Sequence, residues 1–309
     1  MRLRSRLIFG TLCLAAGAPL LAQDASRLVS RQIAAYDAAA PGVLEPRTIT
    51  YGPYRMQALD YWSPSTPKTA KRPPLIVFVH GGAWSMGSKA SGTGRWKEAH
   101  FPAKGFAFAS LDYRLVPTVQ VEDQADDIAH ALRTLITRAD ELGFDPHRIV
   151  LMGHSAGAHL VALVSTDPAY VSRAGLAMTD IAGTIAVDGA GYDVPQQIAT
   201  SQAFLYREYV QAFGTDPARQ RALSPVFHAS APNVGRFLIL HTARADSSQQ
   251  SDELATILRR AGSSVQVNGF AGTGLAAHLA INRRMGDPAY PATSVVDQWL
   301  ANLFAPGGR

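Results

Sequence analysis

No stretch constrains this chain more than Gly153-His154-Ser155-Ala156-Gly157. An apolar run, Arg148 to Met152, leads into it, and a second, Ala158 to Val164, leads away. That order reads as a buried strand, a five-residue turn and an apolar helix. Gly-x-Ser-x-Gly in such a setting is the turn that raises a serine hydroxyl at the carboxyl end of a sheet. The reversal is sharp and the serine backbone strained, so small residues must flank it. The Ala156 N–H is then left free at the start of the helix. Glycine and serine also share ordinary turns, so the pentapeptide acquires meaning only from partners elsewhere in the chain.

Strand and helix patterns alternate on both sides of this turn. A leading amphipathic helix is expected over 26–40, then short strands over 47–51 and 55–61 and a proline-punctuated loop over 63–74. Buried strands follow at 75–79 and 106–111, and helical periodicity spans 122–142, with Ile128, Ala131, Leu132 and Leu135 on one face. Beyond the elbow come strands at 181–187, 236–241 and 264–267, with helices at 247–261 and 294–304. This alternation predicts an α/β fold, a mostly parallel central sheet with helices on both faces. Residues 191–230 are one long aromatic-rich excursion, expected to form helices beside the site as a partial cap.

The first residues have a different character. Three arginines (Arg2, Arg4, Arg6) precede an uncharged apolar run from Leu7 to Ala18, and Leu20-Leu21-Ala22 offers a cleavage point before Gln23. The run is too short for a membrane span, so residues 1–22 read as a secretory signal peptide and 23–309 as the mature domain. Cleavage would remove Cys13, the only cysteine, and leave no thiol or disulfide chemistry. It would also lower the net charge from +5 to +2. No basic cluster remains, which argues against nucleic acid as a partner.

A serine raised in this way needs a base, a group that orients the base, and donors for an oxyanion. Base and acid are expected on connections after later strands. Only His228, His241 and His278 lie beyond the elbow helix, and His278, in the glycine-rich stretch after the last strand, is the candidate base. Asp246, following the strand at 236–241, is the candidate acid, with Asp188 and Asp193 as rivals one strand earlier. Asp246 would otherwise serve as a helix cap. His80-Gly81-Gly82, straight after the strand at 75–79, offers the N–H groups of Gly81 and Gly82 beside that of Ala156. His80 suits a loop brace better than a base. Trp84 and Tyr192 are the candidate pocket residues.

Over residues 47–305 the chain resembles the α/β-hydrolase superfamily. The likeness is to the branch holding feruloyl-esterase-like bacterial esterases, hormone-sensitive-lipase-like carboxylesterases and kynurenine formamidases. It is carried by His80-Gly81-Gly82-Ala83-Trp84, Asp112-Tyr113-Arg114-Leu115, Asp145-Pro146-His147-Arg148-Ile149, the Gly153–Gly157 pentapeptide and the run from His278 to Arg284. The resemblance implies a Ser155-Asp246-His278 triad, no metal or organic cofactor, and an Arg114–Asp127 pair with a structural role. Two departures are visible: Ala277 precedes His278 where the family often has Asp, and Ser247-Ser248-Gln249 follows Asp246 in place of x-x-Val-Pro. The function implied is an exported serine hydrolase of short acyl or aryl esters, with a small-molecule ester as partner and no lasting membrane anchor. An arylformamidase and a non-catalytic binding protein of the same fold are the alternatives.

Overall fold

The computed structural model describes residues 30–65 and 71–305. The expected signal peptide at 1–22 lies outside the described residues. Strands β1 (Arg47–Thr50), β2 (Ala58–Trp62), β3 (Leu75–Val79), β4 (Ala107–Leu111), β5 (Ile149–His154), β6 (Gly183–Val187), β7 (Arg236–Thr242) and β8 (Ser264–Phe270) form one sheet. Its spatial order is β1-β2-β4-β3-β5-β6-β7-β8. The β1–β2 and β2–β4 pairs are antiparallel, and every pair from β4 to β8 is parallel.

Because strand side chains alternate, each buried strand feeds two cores. Leu75, Val77 and Val79 of β3 face one layer, and Ile76 and Phe78 face the other. After a helix at 30–38 (α1), two helices lie between β3 and β4: α2 (Lys89–Gly92) and α3 (Arg95–Ala103). Between β4 and β5 lie α4 (Val121–Thr137) and α5 (Ala139–Leu142), and between β5 and β6 lie α6 (Ala156–Thr166) and α7 (Pro168–Arg173). The long β6–β7 excursion folds as α8 (Val194–Thr200), α9 (Ala203–Phe213), α10 (Pro217–Ala222) and α11 (Pro225–His228). Then come α12 (Ala245–Arg260) after β7, and α13 (Gly274–Arg283) and α14 (Pro291–Leu303) after β8. Helices α4, α6 and α12 cover the first face, and α3, α13 and α14 the second. Apolar side chains sealed on both faces explain why these strands read as continuous hydrophobic runs.

Two expectations about element boundaries shift, and both bear on the site. Helix α12 begins at Ala245, so Asp246 sits inside its first turn rather than on the loop before it. The glycine-rich stretch after β8 winds into α13, so His278 is its fifth residue and is held by a helix rather than a loop. Gly274 and Leu275 open that helix, and Ala276, Ala277, Leu279 and Ala280 are good helix formers around the histidine.

Candidate active site

Strand β5 delivers Ser155 to the rim of the sheet with φ +56°, a region non-glycine residues rarely occupy. The strain is held by the neighbours. Ser155 donates its N–H to the carbonyl of Val187 at 3.0 Å, and its own carbonyl accepts from Ala158 and His159. The two glycines of the pentapeptide are required by contact. A Cβ on Gly153 would lie 2.1 Å from the Gly157 carbonyl oxygen, and one on Gly157 would lie 2.2 Å from that of Val79. Helix α6 can therefore leave the elbow only if both positions lack a side chain.

The loop after β3 lies against this elbow. A Cβ on Gly81 would meet the Ser155 Cβ at 2.9 Å. Among the described residues nothing accepts from the N–H groups of Gly81 or Gly82. The Ala156 N–H opens α6, where no helical carbonyl can reach it. His80 braces the loop: its Nδ1 lies 2.7 Å from the Gly81 carbonyl, its ring stacks on Tyr113, and the Tyr113 hydroxyl donates to its carbonyl at 2.9 Å. Burial lowers the His80 pKa to about 4, so the ring stays neutral.

Ser155, Ala156 and His278 line one cavity of about 410 Å³, together with Ala83, Trp84, Ala190, Leu205, Glu208, Tyr209, Arg244, Asp246, Gly274 and Leu275. Trp84 takes its expected place on the wall. It is pinned there by its indole N–H on His159 Nδ1 at 3.2 Å and by edge contact with Phe213. Tyr192 does not. It is fully buried, and its hydroxyl occupies the space beside Gly189 and Ala158, because the chain after β6 turns inward before α8. Leu205, Glu208 and Tyr209 of α9 are the excursion's contribution to the cavity.

The largest departure concerns the acid. His278 Nδ1 lies 2.6 Å from a carboxylate oxygen of Asp188, not of Asp246. Asp188 follows β6 directly, has φ +46° and is wholly buried. It accepts from the Thr242 N–H (2.8 Å), the Thr242 hydroxyl and the Ser247 hydroxyl (3.0 Å). Burial alone would raise its pKa. The His278 hydrogen bond, the Arg244 charge and the Thr242 N–H outweigh burial and hold the carboxyl well below the usual carboxylate range. Asp246 instead accepts from the Gln197 side chain at 3.2 Å and lies 3.6 Å from Arg244. Asp193 caps α8 by accepting from Gln196 N–H.

One signal for Asp188 was present in the sequence: an acid directly after a buried strand, followed by Gly189-Ala190-Gly191. His154 was also missed. Its Nε2 lies 3.0 Å from the His278 carbonyl oxygen, and its ring lies 4.4 Å from that of His278. Burial, and then the neighbouring His278, push its pKa far down.

A serine elbow at the carboxyl end of a mostly parallel sheet, sharing a cavity with a carboxylate-bound imidazole, defines the α/β-hydrolase fold. The BD-FAE family model matches residues 59–188. Esterase LipC of Mycobacterium tuberculosis is 30% identical over 207 residues, which are 64% of this chain and 50% of that protein. A probable isoprenylcysteine alpha-carbonyl methylesterase of Arabidopsis thaliana, ICMEL2, is 38% identical over 114 residues, 37% of this chain. This chain spans only 26% of that relative's length. Among solved structures, Thermogutta terrifontis esterase 2 with propionate bound superposes with a TM-score of 0.68 at 27% identity, covering 86% of this chain and 98% of the other. Esterase B of Lactobacillus rhamnosis shares the fold with a TM-score of 0.70 at 18% identity, over 94% and 96% of the two chains. The chain has the α/β-hydrolase fold and is similar in sequence to proteins named as esterases.

Proposed function

We propose that this protein hydrolyses carboxylic esters through an acyl-enzyme, with Ser155 as nucleophile, His278 as base and Asp188 as the orienting acid. The observation that carries the reading is the 2.6 Å contact of His278 Nδ1 with Asp188. It holds the imidazole in the tautomer whose Nε2 can accept a proton. Ser155 and His278 line the same cavity, where a bound ester would bring hydroxyl and imidazole into hydrogen-bond reach. Ser155 Oγ attacks the ester carbonyl carbon as its proton moves to His278 Nε2. The N–H groups of Gly81, Gly82 and Ala156 receive the oxyanion, each lost donor costing about 3 kcal/mol of barrier. Collapse expels the alcohol, which takes the proton from His278. Water then repeats the sequence and releases the acid.

The relatives named as esterases support the ester class, and the modest cavity, walled by Trp84, Leu205, Tyr209 and Leu275, favours short acyl or aryl groups. The basic and then apolar start at residues 1–22 supports export to the periplasm or medium. A fluorophosphonate probe should label the wild-type protein and not Ser155→Ala, whereas a binding protein of this fold would take no label. A panel of p-nitrophenyl esters of rising chain length, with N-formylkynurenine beside it, tests the rest. Faster turnover of the formamide than of the acetate or butyrate would replace the esterase reading by an arylformamidase.

A further inference from the structure

We propose that Arg244 binds a carboxylate carried by the ester substrate, so that the site prefers anionic esters. This rests on the esterase reading above. Arg244 follows β7, and its side chain lines the same cavity as Ser155 and His278, about one-fifth exposed (21%). A guanidinium has five N–H donors and is charged at every working pH. Here none of them meets a competent acceptor among the described residues. Nη1 lies 3.2 Å from His278 Nδ1, but that nitrogen gives its own proton to Asp188 and has no lone pair to offer. Nε lies 3.8 Å from Asp188 and 3.6 Å from Asp246, beyond hydrogen-bond range of either, and it is sealed from solvent.

The two acids are also committed elsewhere. Asp188 is filled by His278, Thr242 and Ser247, and Asp246 accepts from Gln197. Arg244 therefore has charge neighbours but no bidentate partner. The cavity-facing end of the guanidinium carries no protein carboxylate among the described residues, and a ligand carboxylate can pair there with two parallel hydrogen bonds. Arg244 is the one lysine or arginine among the described residues lining this cavity.

The test compares matched esters differing in one charge. Monoethyl glutarate against ethyl valerate places the carboxylate on the acyl side, and O-butyrylglycolate against ethyl butyrate places it on the alcohol side. Ethyl 5-(trimethylammonio)valerate supplies the cation. The wild type should favour at least one anionic ester over its neutral partner by roughly tenfold or more in kcat/KM, as a charged hydrogen-bonded pair allows. Arg244→Gln should lower that ratio about tenfold or more, mainly through KM, and Arg244→Lys should keep part of it because the charge remains but the fork is lost. Equal or better turnover of the neutral and cationic esters, or an anion preference that survives in Arg244→Gln, overturns the proposal. Glutarate binding by calorimetry to Ser155→Ala, and its loss in Ser155→Ala/Arg244→Gln, reads Arg244 without turnover. If the wild type cleaves no ester yet Ser155→Ala binds glutarate through Arg244, only the esterase reading fails. If neither ester cleavage nor glutarate binding is seen, both fail.

Discussion

His278 and Asp188 are 90 positions apart in the chain and 2.6 Å apart in space. Asp188 reaches the histidine from β6, the strand directly beside β5, whose end leads into Ser155. At this rim the two strands are stitched together by the Ser155 N–H on the Val187 carbonyl. Asp188 is in turn tied to β7 through its N–H on the Leu240 carbonyl. Serine and acid thus stand side by side at the ends of adjacent parallel strands, and α13 brings the imidazole to them.

Asp188→Asn is expected to lower ester kcat/KM by about 10⁴-fold, since an amide can hold the imidazole in the wrong tautomer. Asp246→Asn should lower it by no more than roughly tenfold, because its contacts are to Gln197 and Arg244. Steady-state kinetics on both, with melting curves to confirm folding, decide the point. A well-folded, inactive Asp246→Asn beside an active Asp188→Asn would return the acid to β7.

Gly157→Ala should destabilise the fold by about 3 kcal/mol, at the upper end of what overpacking costs. The new methyl would lie 2.2 Å from one backbone carbonyl oxygen, that of Val79, and 2.6 Å from the next, that of His80. Val79 belongs to the β3–β5 pairing, and the His80 carbonyl accepts from the Tyr113 hydroxyl. Urea melts showing wild-type stability would mean that α6 can shift away from the sheet.

Stability is expected to fall as pH drops from about 6.5 towards 4. His80 and His159 are fully buried, and burial lowers each pKa to about 4. The unfolded chain takes up those protons near pH 6.5, where the folded chain does not. Their stabilising contribution is complete above that value and shrinks below it, by up to about 3 kcal/mol each. His159 shows why: its Nε2 lies 2.8 Å from the Leu223 carbonyl, and its Nδ1 accepts the Trp84 indole, so a second ring proton has nowhere to go. Melting temperatures that stay flat between pH 4.5 and 7 would contradict this, and His159→Gln should reduce the slope.

Asp127→Ala should cost about 3–5 kcal/mol, the usual result of stripping one partner from a buried pair. Asp127 is wholly buried and receives the Arg114 guanidinium at 2.8 and 2.9 Å and the Gln57 amide at 2.7 Å. The double variant Asp127→Ala/Arg114→Met should lose less than the sum of the single losses, because the uncompensated charge goes with its partner. Chemical denaturation of the three variants measures the coupling.

The sequence alone was enough for the sheet and for the strand–turn–helix that carries Ser155. Runs such as Leu75–Val79 are apolar at every position, which only a strand covered on both faces permits, and Gly153 and Gly157 announce a contact that excludes side chains. Elimination left His278 as the candidate base, and the Arg114–Asp127 pair followed from family resemblance. The carboxylate that meets His278 was not legible. Asp188, Asp193 and Asp246 all follow strands near the right end of the sheet, and chain order ranks them without measuring distance. Three tertiary facts separate them: α12 starts early enough to draw Asp246 into its first turn, α8 takes Asp193 as its cap, and Asp188 is buried against Thr242 and Ser247. For the same reason Tyr192, expected on the pocket wall, turns into the core, and Arg244, which the sequence did not single out, turns into the cavity. Local pattern determines which residues form a strand or a helix. Which side chain meets which across the end of a sheet depends on the register of helices packed from both faces, and that is a property of the whole fold.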